Sequence, residues 1–245
     1  MKIRNPESRY DLKLKRKYKV LEVGGGNDPH PRSNVIVDKY SGDKNYHRSG
    51  NLKILKHQQF IEADGESLPF CDNSFDYVIC IHVLEHVEHP DKFMKEQFRV
   101  ASRGYLETPS LIGEYLAPRD SHKWVSLEID EKIVMYEKEK IGFKKTFDFG
   151  ELFLHYLPKN SLPFKLVQRT INNLLTINYE WENSIEILIN PDNEEYLRVF
   201  TTPWDIEICE RVFKKRNKAE ELIKTISATK NIIKLFTKNK LFIMK

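Results

Sequence analysis

Tyr18-Lys-Val-Leu-Glu-Val-Gly-Gly-Gly26 decides the fold. A short apolar run stopped by three glycines reads as a buried strand ending in a tight turn. Working outward, Asn34-Val-Ile-Val-Asp38 and Gln59-Phe-Ile-Glu-Ala63 are the next strands, and Phe75-Asp-Tyr-Val-Ile-Cys-Ile81 is a fourth, entered from the Cys71-Asp-Asn-Ser loop. All are brief and rich in β-branched or aromatic residues, as strands covered on both faces are. Pro90–Val100 places Phe93, Met94, Phe98 and Val100 near helical spacing, and Gly104–Thr108 is the strand after it. Strand and helix alternate, so the expected fold is α/β, a doubly wound, Rossmann-like and mostly parallel sheet.

Beyond Pro109 the regularity loosens. Residues 110–130, with Gly113, Pro118 and Arg119-Asp-Ser-His122, read as an irregular cover or substrate loop. Residues 148–176 read as mainly helical, interrupted near Pro158 and Pro163, with His155 and Tyr156 as packing residues. Ser184–Ile189 and Tyr196–Phe200 resemble a closing pair of strands around the Asn190-Pro-Asp-Asn turn. Residues 206–239 carry Val212, Phe213, Ala219, Leu222, Ile223 and Ile226 at helical intervals. The expected organisation is a basic segment over 1–17, one domain over 18–205 and a basic helical extension over 206–245.

The charge is local. The chain carries 40 Lys/Arg against 36 Asp/Glu, a net +4, too small to indicate a nucleic-acid partner. Residues 206–245 alone hold 11 Lys/Arg and 4 Asp/Glu, a net +7, so residues 1–205 carry −3 by difference. Cys71, Cys80 and Cys209 are widely spaced and form no CxxC pair, which supports neither a disulfide framework nor a thiolate metal site. Without a signal-like N-terminus or an apolar run of about 18 residues, a cytoplasmic protein is the expectation.

The chemistry lies at the strand ends. In an open parallel sheet, ligands sit beyond the carboxyl ends of the strands, at the switch point. Glu22 with Gly24, Gly25 and Gly26, then Asp38, then Asp64-Gly65, then the turn after Ile81 all fall there. Glycines let the backbone approach a ligand, and a carboxylate after the second strand can accept from both hydroxyls of a ribose. Only ten residues, Gly24 to Ser33, separate the first two strands, and Pro29 and Pro31 lie among them. That leaves little room for a crossover helix, whose N-terminus is where a pyrophosphate normally rests. A dinucleotide is disfavoured.

The run Ala63-Asp-Gly-Glu-Ser-Leu-Pro-Phe70, then Ser74-Phe-Asp-Tyr-Val-Ile79, then Leu84-Glu-His-Val87 resembles the class I S-adenosylmethionine-dependent methyltransferase family, over roughly residues 18–109. The resemblance implies a seven-stranded sheet and S-adenosylmethionine as cofactor. It further implies Glu22, Gly24 and Gly26 around the methionine part, Asp38 at the ribose, Asp64 and Gly65 at the adenine, and the Ile81-His82-Val83 turn closing the pocket, with Gly25, Lys39 and Glu66 also among the cofactor-binding positions. Asn27-Asp28-Pro29 departs from the pattern, where a third glycine and a full helix are usual. The compact glycine turn and extended later loop also resemble methyltransferases of bacterial surface-polysaccharide (capsule) biosynthesis. That implies O-methylation of a small polar acceptor: a sugar, a nucleotide-linked sugar or a phosphate-type group.

His82, Glu85 and His86 lie at i, i+3 and i+4, on one face if a helix starts there. His82, His86 and the later His122 are the candidates for acid–base work on the acceptor. No metal is assigned. The alternative is a divalent ion held by these residues together with His122, since some methyltransferases that this chain resembles use Glu-x-x-Glu-His, with His82 here replacing the first Glu. Arg119–Trp124 offers cationic and aromatic groups to an anionic or sugar-bearing acceptor. The expected partner is a small-molecule acceptor. RNA methylation, or binding of cofactor or partner without catalysis, are the rival functions.

Overall fold

The computed structural model describes residues 1–41 and 50–243, the last ten of these by backbone only. Its centre is a seven-stranded sheet. In chain order the strands are β1 (Lys2–Arg4), β2 (Val20–Val23), β3 (Val35–Asp38), β4 (Gln59–Glu62), β5 (Tyr77–Ile81), β6 (Arg103–Pro109) and, after a second sheet, β9 (Thr176–Glu182). The spatial order is β1-β9-β6-β5-β2-β3-β4. The strands β4, β3, β2, β5 and β6 are mutually parallel. β9 runs antiparallel between β6 and β1, so the sheet is mixed. The order reverses at β2, which pairs with both β3 and β5.

The five parallel strands fall where alternation of apolar runs and turns places them. Between them, among the described residues, one crossover alone is helical. Helix α1 (Pro90–Val100) joins β5 to β6 and buries Phe93, Met94 and Val100. The stretch from Gly24 to Asn34 is turn and coil, as its prolines require. One face of the sheet is therefore covered by α1 together with Leu68, Phe75, Trp124, Ile133 and Met135. The other face, formed by Val20, Tyr77, Ile79 and Tyr105, is covered by Leu12, Leu14 and Tyr18 of the N-terminal segment.

The second half departs from the sequence expectation. The 110–130 stretch is not one irregular loop: it holds α2 (Leu111–Leu116), capped by Ser110, and strand β7 (Trp124–Ile129), leaving only 117–123 irregular. β7 pairs with β8 (Lys132–Glu137), which pairs with β10 (Ile187–Ile189), in a second three-stranded sheet. Tyr196–Phe200 is helical, within α5 (Glu194–Thr201), because Val199 and Phe200 bury one helix face and Asn193 caps its start. Of the pair of strands expected around the Asn190-Pro-Asp-Asn turn, Ser184–Ile189 supplies β10, parallel to β8, and the antiparallel strand of the central sheet is β9, further upstream. Residues 151–156 form a π-helical stretch running into α3 (Leu157–Asn160) and α4 (Leu162–Thr170). His155 and Tyr156 are exposed, not packed. After α6 (Ile206–Val212), the long helix α7 (Lys218–Ile243) packs on α4 and buries Ala228 and Ile232, while Leu222, Ile223 and Ile226 face outward. Among the described residues, no helix is long and apolar enough to cross a membrane.

Candidate active site

Pairing register brings Val23 of β2 beside Val37 of β3 and Cys80 of β5, and Asp38 beside Glu62 of β4. The carboxyl ends of four strands thus share one edge. Gly24 turns the chain there at φ +74, with its N–H donating to Val37 O at 2.7 Å. A Cβ at Gly24 would come within 2.2 Å of Val83 Cγ2, so the turns after β2 and β5 can touch only because residue 24 is glycine.

The acidic residues at this edge have distinct duties. Glu22 is buried, and its Oε2 accepts from His30 N at 2.8 Å and Ser33 Oγ at 2.6 Å. Burial raises its pKa above the ordinary carboxylate value, against those two hydrogen bonds. Asp38 Oδ1 accepts from Tyr40 N at 3.0 Å. Lys39 Nζ and Asp64 Oδ2 pair at 2.7 Å across the ends of β3 and β4. Burial alone would raise the pKa of Asp64, but hydrogen bonds from Lys39 and Glu66 N lower it. Gly65 is set by packing, since a Cβ there would lie 2.4 Å from the Phe93 ring. Glu66 reaches forward: its Oε1 accepts from Glu88 N and His89 N, both at 2.9 Å, at the start of α1.

After β5 the chain takes a left-handed step at His82, φ +52, a conformation costing a non-glycine residue about 1–2 kcal/mol. The step turns both imidazole nitrogens to carboxylates, Nδ1 to Glu85 Oε1 at 3.2 Å and Nε2 to Glu107 Oε1 at 3.3 Å. Burial lowers the His82 pKa, but hydrogen bonds and charge from Glu107 and Glu85 outweigh it and push it up to about 10. With carboxylates accepting on both sides, the ring is an imidazolium and a donor. Glu85 is fully enclosed and also accepts from Thr108 Oγ1 at 3.0 Å. Asp76, at the strand entrance, accepts from Lys19 N at 2.8 Å and is structural.

His86 and His122 come together, their rings edge to face at 4.7 Å between centroids. Of the Arg119–Trp124 cluster, Trp124 is a buried anchor donating to Val87 O at 2.9 Å, Lys123 pairs with Glu88, and Asp120 pairs with Lys145 at 2.9 Å. A cleft of about 340 Å³ opens beside Glu107, lined among others by Arg9, Tyr10, Gln168, Arg169 and Asn178. Two further clefts, at Arg211 and at Trp204, involve none of the strand-end residues. Glu107, Glu114 and Arg9 belong to this neighbourhood and escaped the sequence reading. Glu107 was detectable as a charge at the end of an otherwise apolar strand.

Adenosine presents donors, two hydroxyls and an amino group, and this edge presents acceptors on Asp38 and Asp64. A sulfonium cation suits an edge that also holds Glu22, Glu85 and Glu107, and between β2 and β3 the chain is turn and coil, without the helix N-terminus on which a pyrophosphate would rest. The donor set fits S-adenosylmethionine. Residues 38–106 match the family model described as a methyltransferase domain. Norajmaline N-methyltransferase of Rauvolfia serpentina is 38% identical over 31% of this chain and 25% of its own length. Demethylmenaquinone methyltransferase of Paenarthrobacter aurescens is 34% identical over 38% of each chain. The ubiquinone/menaquinone biosynthesis C-methyltransferase UbiE of Pasteurella multocida is 39% identical over 22% of this chain and 20% of its own length. The chain thus spans about a fifth to two-fifths of the curated relatives it matches. Among solved structures, the PH0226 protein of Pyrococcus horikoshii overlaps 69% of this chain and 84% of its own, at a TM-score of 0.38 and 17% identity. The stretch 38–106 is thus similar to a methyltransferase domain, which implies S-adenosylmethionine as the cofactor.

Proposed function

We propose that this chain transfers a methyl group from S-adenosylmethionine to a small polar acceptor. The observation that carries the reading is the meeting of the glycine turn, Asp38, Asp64 and His82 at one sheet edge, where the strand order reverses, in and beside the matched stretch. In this reading Glu22 and Gly24–Gly26 flank the methionine part, Asp38 and Lys39 the ribose, Asp64, Gly65 and Glu66 the adenine, and Ile81 with His82 closes the pocket. Residues 18–205 carry the reaction, with 1–17 and 206–245 as additions. The bound cofactor supplies an electrophilic methyl group, so the protein's task is alignment of the acceptor. His82, held between Glu85 and Glu107, places its positive charge beside a polar or anionic acceptor, with His86 and His122 next to it.

The polar lining of the cleft at Glu107 supports an acceptor such as a sugar, a nucleotide-linked sugar or a phosphate-type group methylated on oxygen, as surface-polysaccharide biosynthesis requires. The names of the curated relatives speak for nitrogen and carbon acceptors in those proteins, so the assay panel includes amines and quinol-type rings. Equilibrium dialysis with labelled S-adenosylmethionine tests the cofactor half. Asp38→Ala lowers affinity by about 10–100-fold with an unchanged unfolding midpoint. Unchanged affinity overturns the placement of the pocket, and no turnover to S-adenosylhomocysteine with any acceptor overturns the enzyme reading. Methylation of RNA alone overturns the acceptor class.

A further inference from the structure

Among the described residues, Glu85, His86 and His122 offer ligand atoms that all lie within 4.8 Å of one another. The backbone holds the two halves of this group in place, because Lys123 N and Trp124 N donate to Glu85 O at 2.8 and 3.3 Å. Side-chain partners then set the rings. His86 Nδ1 lies 3.0 Å from Ser121 O, and a carbonyl only accepts, so Nδ1 carries the proton. His122 Nδ1 lies 2.6 Å from Glu114 Oε2. That carboxylate is buried and takes Arg119 N and Lys138 Nζ on its other oxygen, so it accepts from His122 as well. With both Nδ1 atoms donating, Nε2 is the nitrogen through which each ring would coordinate. Histidines whose Nδ1 is fixed by a carbonyl or a carboxylate are oriented as metal ligands are.

We propose that Glu85, His86 and His122 bind a divalent transition-metal ion, with Ser121 O and Glu114 orienting the two rings. Two imidazoles and one carboxylate suit zinc, manganese or ferrous iron, whereas magnesium and calcium favour all-oxygen sets. An ion about 2.0–2.2 Å from each ligand in a tetrahedral set brings the donors to about 3.4 Å apart, roughly 1.4 Å inside their present 4.8 Å limit. His82 stays outside the set, its nitrogens facing Glu85 and Glu107. Three protein ligands leave a coordination position for an oxygen of water or acceptor. The site itself is independent of methyl transfer; only a role in holding an oxygen-bearing acceptor rests on the proposed function.

The test uses the full chain, stripped with a chelator and titrated with Co²⁺ alone, without cofactor or acceptor. The expected result is one equivalent bound, with visible d–d bands, and displacement by Zn²⁺ but not by Mg²⁺. Glu114→Gln is expected to weaken Co²⁺ binding by about 10–100-fold, the usual effect of removing an orienting partner. His122→Ala, checked for folding by circular dichroism, removes the bands, and His86→Gln serves as the second ligand variant. Absence of stoichiometric Co²⁺ and Zn²⁺ binding overturns the proposal, as does binding undiminished in both histidine variants. Cofactor dialysis on the same samples separates the two readings: metal bound without cofactor upholds this site while the methyl-transfer reading falls.

Discussion

Two crossovers leave neighbouring strands of the central sheet at the same edge and are built by opposite means. Between β5 and β6, helix α1 satisfies its own backbone and buries Phe93, Met94 and Val100. Between β2 and β3 there is no helix, and Glu22, itself on the strand, reaches up to hold His30 N and Ser33 Oγ while Gln58 Nε2 donates to His30 O at 2.9 Å. A buried carboxylate thus supplies acceptors that a helix would have provided along its length. The helical crossover spreads its dependence over a whole apolar face. The coil crossover concentrates it on one side chain.

The coil crossover is most vulnerable at Glu22. Glu22→Ala leaves two buried donors without partners, and a loss of about 3–4 kcal/mol in urea unfolding is expected. A loss below about 1 kcal/mol would mean that the crossover stands by other contacts. His30 sharpens the same point through pH. Burial, with the charge of Arg9 adding to it, lowers its pKa from 6.5 to about 4, while its Nδ1 accepts from Arg32 N at 3.1 Å. The folded protein holds His30 neutral and the unfolded chain protonates it near 6.5, so the unfolded state binds more protons between those values. Stability is full above about pH 6.5 and falls by roughly 3 kcal/mol towards pH 4 from this group. In His30→Gln the slope of unfolding free energy across that window flattens; an unchanged slope refutes the assignment. The smallest effect falls on the helical crossover. His89 at the start of α1 makes no side-chain cap, and Glu66 caps it from another turn. Glu66→Ala is expected to cost about 1–2 kcal/mol, read from the urea midpoint, with native helicity retained in circular dichroism.

The same contrast explains what could be read in the sequence. Five parallel strands and α1 follow from local pattern, because apolar runs bounded by glycine or polar turns have few other solutions. The edge acids Glu22, Asp38 and Asp64 follow from those strands, since a strand end fixes where its last side chain stands. The second sheet did not follow. Trp124–Ile129 and Lys132–Glu137 are strands only because they pair with each other and with Ile187–Ile189, a non-local arrangement that no local period encodes. Tyr196–Phe200 is helix where a strand is expected, and Asn193 followed by Glu194 and Glu195 carries the helix-start signal. The pairing of His86 with His122 depends on the same second sheet, because β7 is what delivers residue 122 to the turn after β5. His82, one of the acid–base candidates, lies between Glu85 and Glu107, and Glu107 becomes adjacent only through the β5–β6 register.

The N-terminal strap over Val20, Tyr77, Ile79 and Tyr105 has a consequence for how the molecule breathes. A helix peels from a sheet cooperatively, but this cover is mostly extended chain anchored by Leu12, Leu14 and Tyr18, with Arg9 paired to Asp28 at 2.6 Å beyond them. Its release exposes the aromatic face of β5 and β6 without disturbing the opposite face, where α1 and the second sheet remain seated. Amide exchange along residues 9–18 therefore proceeds by local opening, at a free energy well below that of global unfolding, while the amides of β2 and β5 report the whole domain.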